Sequence, residues 1–243
     1  MRPFLFLGTR AEDAAADGEY AAVQRYAGLD SAELVRRRLE QAPLGEVDPS
    51  AWSGIIVGGG PFNVSDPEPQ KSEVQRRVEA ELRVLAEKVV ADDVPFLGAC
   101  YGIGTLGVLR GGVVDRTYGE PVGRISVTLS EEGAADPLFG VLPRDFDAFG
   151  GHKEAVTVLP EGAVVLASSS ACPVQGFRLG DRVYATQFHP ELDVEGLCTR
   201  VDVYRDYGYF PPEAAEGLKA MARASTVTHP PLLLRRFVEL FAR

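Results

Sequence analysis

The sequence predicts an α/β fold in which a mostly parallel sheet is covered on both faces. Three short apolar runs, at Phe4–Gly8, Ile55–Val57 and Val94–Leu97, are continuous rather than alternating, as in strands buried on both sides. Between the last two runs, residues 72–90 place Val and Leu at spacings of three and four, which indicates an amphipathic helix. This strand–helix–strand order is typical of parallel sheets.

The first third of the chain contributes two strands and two helices to this prediction. After the strand Phe4–Gly8, the polar, alanine-rich segment Arg10–Gly28 has weak periodicity, and we predict a surface excursion that approaches the functional site. Residues Ser31–Gln41 (SAELVRRRLEQ) are predicted to form a helix. A second helix is expected to begin at Ser72, with Gln75 completing a capping box.

The middle of the chain is predicted to be rich in strands, and its end to be helical. Turn signals such as Pro-Glu-Gly and Leu-Gly-Asp separate the strands. The predicted strands are Ile125–Leu129, Ala155–Leu159, Val164–Ala167, Val174–Leu179 and Val183–Phe188. The predicted final helices are Val194–Tyr204, Glu213–Ala224 and Pro231–Ala242. Because no repeat, low-complexity stretch or linker interrupts these elements, we expect residues 1–243 to form a single domain.

Composition narrows the classes of partner. The 243 residues carry 25 Lys and Arg against 35 Asp and Glu, a net charge of −10, which disfavours nucleic acid. No apolar run is long enough to predict a membrane span, and the N-terminal run is too short for a signal peptide. The three cysteines match no zinc spacing. We therefore expect a reduced, cytoplasmic protein without metal or cofactor.

The segment Gly98-Ala99-Cys100-Tyr101-Gly102 follows a predicted strand and precedes a helix. A cysteine on such a turn has the setting of a nucleophile elbow, in which small residues two before and two after allow a tight backbone. The helix N-terminus would favour a thiolate. A buried structural thiol is the alternative, and the motif alone favours neither.

Two further segments carry candidate catalytic groups. In TQFHPELD, His189 and Glu191 are two residues apart and share a face if the chain is extended, so that a carboxylate could orient the imidazole. In IIVGGGPFNVSD, a buried strand runs into three glycines whose N–H groups could bind an oxyanion. Taken singly, each segment also fits a surface turn.

Taken together, and in their order along the chain, the three segments resemble the class I (triad) glutamine amidotransferases. They are closest to stand-alone members similar to the amidotransferase domain of GMP synthase. The resemblance implies a flavodoxin-like three-layer sandwich with a mostly parallel central sheet and helices on both faces. It implies that Cys100 is the nucleophile and that His189 and Glu191 complete the triad. The N–H groups of Gly60 and Tyr101 would form the oxyanion hole.

The same resemblance implies hydrolysis of the glutamine side-chain amide through a γ-glutamyl thioester, with ammonia passed to a separate synthetase. GGHKEAV resembles a family segment that lies against bound glutamine, so Gly151, His152 and Lys153 are expected to bind substrate. Lys153 would offer a cation to an α-carboxylate, whereas His152 taken alone fits a core or rim histidine. Gly104 stands where the family usually has Gln, and would leave room for a bulkier substrate.

Two other functions stay open from the sequence. Gly104 and Lys153 depart from the family pattern and keep open, as the second choice among enzymes, a γ-glutamyl hydrolase or peptidase-like thiol hydrolase that uses the same triad. A non-catalytic partner subunit of a synthetase is the other alternative, against which the intact Cys-His-Glu set argues. We expect Cys172 and Cys198 to be ordinary semi-buried thiols, and the aromatic residues of VYRDYGYFPPE to pack at a helix end.

Overall fold

The first strand shows how the layers of the molecule are arranged in the computed structural model, which describes residues 2–243. Leu5 and Leu7 point into one core cluster, and Phe4 and Phe6 point into another. Successive side chains of a strand alternate between the faces of its sheet, so both faces here are buried. Each core cluster includes helix side chains, which places helices on both sides of the sheet.

The elements are numbered in chain order. The strands are β1 (Phe4–Gly8), β2 (Leu34–Arg38), β3 (Ile55–Val57), β4 (Phe96–Ala99), β5 (Val113–Asp115), β6 (Glu120–Leu129), β7 (Asp145–His152), β8 (Ala155–Val158), β9 (Ala163–Ser169), β10 (Gly176–Leu179) and β11 (Val183–Thr186). The helices are α1 (Asp13–Ala27), α2 (Glu73–Ala91), α3 (Tyr101–Gly107), α4 (Glu131–Ala135), α5 (Val194–Val203), α6 (Ala215–Ala224) and α7 (Leu232–Phe241).

Nine of these strands form one sheet in the order β2-β1-β3-β4-β11-β10-β9-β6-β7, while β5 and β8 pair separately. The pairings from β2 to β11 are parallel, and those from β11 to β7 are antiparallel. The predicted α/β class is confirmed. The parallel part of the sheet is the half that contains β4. Because β4 and β11 are parallel neighbours, the segments that follow them leave the same edge of the sheet.

The predicted strands and the three final helices are present, with ends displaced by a few residues. The helix predicted from Ser72 is also present as α2, and the Ser72 hydroxyl accepts a hydrogen bond of 3.0 Å from the Gln75 N–H. The Gln75 side chain does not complete the capping box, since its amide donates to the Asn63 carbonyl at 3.0 Å. Ser72 alone therefore provides the side-chain cap.

Two predictions in the first third of the chain are wrong. Residues 31–41 do not form a helix, because Leu34–Arg38 is the edge strand β2, whose Arg36 donates to Asp17 of α1 at 2.7 Å. The segment Arg10–Gly28 is not a surface excursion, since most of it forms α1. In the part of the chain that the structure describes, no helix has both the length and the apolar character needed to span a bilayer.

Candidate active site

Cys100 lies between β4 and α3 in a strained conformation. Its φ of 52° and ψ of −93° place a side chain in a region that L-residues rarely adopt. The turn is tight, because a Cβ on Gly98 would lie 2.7 Å from the Gly102 backbone. The glycines on either side of Cys100 thus allow the sharp strand-to-helix turn, and the half-buried thiol lies at the carboxyl edge of the sheet.

His189 and Glu191 reach the same edge because they follow β11. The ends of β4 and β11 are joined where the Cys100 N–H donates to the Thr186 carbonyl at 2.8 Å. His189 Nδ1 lies 2.8 Å from Glu191 Oε1, and both side chains are buried. The structure therefore brings together the cysteine, histidine and glutamate that the sequence analysis singled out.

The electrostatic surroundings of this pair act in opposite directions on its two members. Burial is the largest influence on His189 and disfavours its charged form, but the Glu191 carboxylate and the Cys100 side chain together outweigh it, and the pKa of His189 is raised. A polar contact with the Cys100 side chain also favours protonated His189. Burial likewise disfavours the Glu191 carboxylate, yet His189 and Arg200 together hold its pKa well below its usual range. Glu191 is therefore ionised, and it is suited to orient the imidazole and to stabilise its positive charge.

The glycine-rich loop after β3 approaches both reactive groups. A Cβ on Gly59 would collide with His189 Cε1 and would lie 3.3 Å from Cys100 Cβ, so only glycine permits this approach. The next N–H, that of Gly60, has no hydrogen-bond acceptor within residues 2–243. The Tyr101 N–H belongs to the first turn of α3, where no intrahelical acceptor exists. Both N–H groups are thus available as donors, and Gly60 and Tyr101 line the same cleft as Cys100.

These groups open into a cleft of about 820 Å³, including the space at its mouth. Gly104, Gly151, His152 and Lys153, the four positions expected to bind substrate, all line it. Its other walls are largely apolar, and one wall is formed by the stretch 204–210, here called the aromatic segment. Among the apolar and aromatic lining residues are Phe62, Val122, Leu197, Tyr204, Tyr209 and Phe210.

His152 has both ring nitrogens engaged by the protein. Nδ1 lies 2.8 Å from the Glu154 carbonyl oxygen, and Nε2 lies 2.8 Å from Glu120 Oε2. Ser169 donates to the other oxygen of the same Glu120 carboxylate at 2.7 Å. This geometry suits a histidine that supports the cleft wall, which is the role that the sequence favoured for it.

Lys153 and Gly104 are less open to substrate than expected. Lys153 Nζ donates to the Tyr207 carbonyl at 3.3 Å and lies 4.3 Å from the centre of the Tyr209 ring, so it contacts the aromatic segment. A Cβ on Gly104 would lie 3.3 Å both from Glu154 Oε1 and from a methyl of Val64. The space beside Gly104 is therefore already bounded by these two side chains.

Three charged residues near the site were not predicted. Arg10 and Arg200 line the cleft, and Glu19 lies between them, with the side chains of all three buried. Glu19 Oε1 accepts from the Gly59 N–H at 3.2 Å, which ties α1 to the glycine-rich loop. Their separation along the chain leaves no local pattern, and the only signal was the expectation that residues 10–28 approach the site.

Two buried groups of side chains have the spacing of metal ligands. One consists of Glu120, His152 and Cys172, and the other of Glu19, His189 and Glu191. In both groups the donor atoms already contact one another, since Glu120 pairs with His152 and Glu191 pairs with His189. Cys172 donates to the Val174 carbonyl, and Glu19 pairs with Arg10 and Arg200, so every member of both groups has a partner within the protein.

Comparison with known proteins places the chain in a family. The model of the family "Glutamine amidotransferase class-I" matches residues 23–196. The glutamine-hydrolysing GMP synthase of Thermosipho africanus is 30% identical over 162 residues, which are 66% of this chain and 28% of that protein. One subunit of the glutamine-hydrolysing GMP synthase of Methanocaldococcus jannaschii is 32% identical over 152 residues, 62% of this chain and 71% of that protein. The chain thus spans less than a third of the first of these relatives.

Solved structures share the fold over the whole chain. A glutamine amidotransferase from Thermotoga maritima superposes with a TM-score of 0.75 at 20% identity, covering 99% of this chain and 98% of that one. Another, from Methylobacillus flagellatus, has a TM-score of 0.72 at 18% identity, covering 100% and 96%. At these identities the similarity is one of fold.

Proposed function

Because the chain belongs to the class-I glutamine amidotransferase family, we propose that it hydrolyses a γ-carboxamide, with glutamine as the first candidate, through a γ-glutamyl thioester on Cys100. The observation that carries the proposal is the position of buried His189, in contact with Glu191 and beside Cys100 on its strained turn. This arrangement has the parts of an activated thiol nucleophile: a nucleophile, a base and a group that orients the base.

In the proposed reaction, the Cys100 sulfur attacks the γ-carbonyl carbon while His189 takes the thiol proton. The oxyanion that forms is stabilised by the N–H groups of Gly60 and Tyr101. When the carbon–nitrogen bond breaks, His189 gives its proton to the leaving nitrogen, and ammonia departs. Water then attacks the thioester with His189 as base, which releases glutamate and restores the thiol. Glu191 holds the imidazole throughout and stabilises its protonated form.

We propose that the ammonia passes to a separate acceptor enzyme. The support comes from the relatives: the matched part of the Thermosipho africanus synthase is 28% of a longer protein, and the Methanocaldococcus jannaschii relative is one subunit of its synthase. We also propose that residues 1–243 work as one catalytic domain, since nine of the strands between Phe4 and Thr186 share one sheet.

A γ-glutamyl compound larger than glutamine is the second candidate substrate. The cleft favours it, because side chains such as Phe62, Val122, Leu197 and Phe210 give it an apolar lining that the small primary amide of glutamine does not need. The same triad chemistry would then release an amine in place of ammonia.

The test is to incubate the protein with glutamine and with a panel of γ-glutamyl amides. Ammonia or amine release is measured, and Cys100 is examined by mass spectrometry for an acyl adduct. We expect Cys100→Ala and His189→Ala each to lower kcat by about 10⁴-fold or more, and Glu191→Ala to lower it less. Cys198→Ala is the matched control and should retain activity. Near-native turnover in His189→Ala would remove this histidine from the mechanism.

A further inference from the structure

Behind His189 lies a line of four buried charges of alternating sign. Arg10 Nε lies 3.1 Å from Glu19 Oε1, and Arg200 Nη2 lies 3.2 Å from the same oxygen. The same Arg200 nitrogen lies 2.7 Å from Glu191 Oε1. Arg10 follows β1, Glu19 lies on α1, Glu191 follows β11 and Arg200 lies on α5, so four separate parts of the fold contribute to the line.

We propose that Arg200 is a positioning residue for the triad: its guanidinium clamps the Glu191 carboxylate against His189, and Glu19 holds that guanidinium from the other side. The catalytic consequence rests on the proposed function, whereas the effect on Cys100 reactivity does not depend on the substrate. Buried arginines are retained where a planar group of donors must fix a carboxylate.

The donors around Glu191 determine where the proton of His189 lies. Arginine offers only N–H donors and stays charged, so Arg200 cannot accept a proton from the imidazole. Arg200 Nη1 lies 3.1 Å from His189 Nδ1, but Nδ1 has Glu191 Oε1 at 2.8 Å as its acceptor. Glu191 Oε1 therefore accepts from both neighbours, and His189 Nε2 is left as the nitrogen that exchanges a proton with Cys100.

Arg200 is also a permanent positive charge beside a base. Burial and Arg200 both oppose protonation of His189, while Glu191 and Cys100 together favour it strongly enough to leave the pKa raised. Removing Arg200 would leave Glu191 unopposed, and the protonated imidazole would be stabilised further. The charged and titratable groups around His189 are Glu191 on its own segment, Cys100 at the elbow, Arg200 on α5, Glu19 on α1 and Arg10 after β1.

Removing Arg200 and removing its partner Glu19 should shift the pH profile of the site in opposite directions. Arg200→Met removes a positive charge, which raises the pKa of each nearby group, so the pH profile of the site should move to higher pH. Glu19→Gln removes a negative charge, lowers those pKa values and should move the profile to lower pH. A purely structural role of the buried ion pairs would not move the two profiles in opposite directions.

The experiment measures the rate at which iodoacetamide modifies Cys100 between pH 5 and 10, with the site of modification mapped by mass spectrometry. We expect a shift of about one to three pH units upward for Arg200→Met and a downward shift for Glu19→Gln. Arg200→Lys keeps the charge and should keep the profile, with a lower rate because its single ammonium makes fewer contacts. The control is Arg178→Met. In the wild type, Arg178 lies on β10 and its guanidinium pairs with Asp136 at 2.9 Å.

Superimposable profiles for wild type, Arg200→Met and Glu19→Gln would overturn the inference, as would a shift in Arg178→Met equal to that in Arg200→Met. If Arg200→Met does not fold, Glu19→Gln and Arg200→Lys still decide the question by their profiles. Should the wild type hydrolyse no γ-carboxamide while the profiles shift as expected, the proposed function fails and the positioning role stands. Hydrolysis with unshifted profiles would leave the proposed function standing and remove the positioning role.

Discussion

Gly59→Ala should inactivate the site through one added methyl group. The φ of Gly59 lies outside the left-handed region, so alanine can adopt the backbone conformation, but its Cβ would collide with His189 Cε1. The added methyl group cannot shift away from His189 in two other directions, because Arg10 Nη2 lies 2.9 Å and Cys100 Cβ lies 3.3 Å from the same position. The imidazole must therefore move, and a displacement of about 1 Å costs roughly 10²-fold in rate.

The accompanying loss of stability is smaller than the loss of activity. Overpacking of this kind costs about 1–3 kcal/mol, and each kcal/mol lowers the Tm of a protein of this size by about 2–4 °C. The assay is kcat/KM for amide hydrolysis, together with thermal unfolding. Gly217→Ala on α6 is the matched control, because a Cβ there has nothing within 4 Å. A folded Gly59→Ala protein with a rate within about threefold of wild type would refute the reasoning, since a misplacement of the imidazole should cost far more.

Three other predictions follow from single contacts. Limiting iodoacetamide should label Cys100 ahead of Cys172 and half-buried Cys198. Burial raises the pKa of the Cys172 thiol to about 11, which makes it a poor nucleophile at neutral pH. Peptide mapping that finds most of the label on Cys172 or Cys198 would contradict this prediction. Ser72→Ala should cost about 1 kcal/mol in urea denaturation through loss of the α2 cap, and an unchanged midpoint would contradict that. Lys153→Ala should raise KM more than it lowers kcat, because its ammonium holds the aromatic segment against the cleft; equal changes would speak against this.

Local sequence patterns located the parts of the site that lie on single turns. The small residues around Cys100 have a direct physical cause, since a Cβ would lie 2.7 Å from backbone atoms at Gly98 and 3.1 Å from them at Gly102. His189 and Glu191 are two residues apart, so their contact depends only on the local chain. The strands that carry these turns were predictable for the same reason, because burial on both faces leaves continuous apolar runs.

Residues 10–41 were not predictable, because long-range pairing determines their structure. SAELVRRRLEQ has the composition of a helix, yet Arg36 lies on an edge strand where Asp17 of α1 compensates its charge. Charged side chains on such a strand also protect the open edge of the sheet. Helix α1 was missed for the complementary reason, since its inward face is built from small alanines, one valine and one buried carboxylate, Glu19, in place of a regular stripe of large apolar residues.

Glu19 lies on the helix α1 that was not predicted, and it also contacts the charged residues beside the candidate active site. A glutamate on a weakly amphipathic segment is ordinarily solvent-exposed, and its burial makes sense only once Arg10 and Arg200 are placed on either side of it. Arg200 lies 181 positions further along the chain. The two residues meet because α1 follows β1 and α5 follows β11, and both strands belong to the parallel part of the sheet. The nucleophile and its base are therefore encoded locally, whereas the charges that tune them are encoded by topology. Substitutions at Glu19 or Arg200 should accordingly change the pH profile of the site without altering any residue of its motifs.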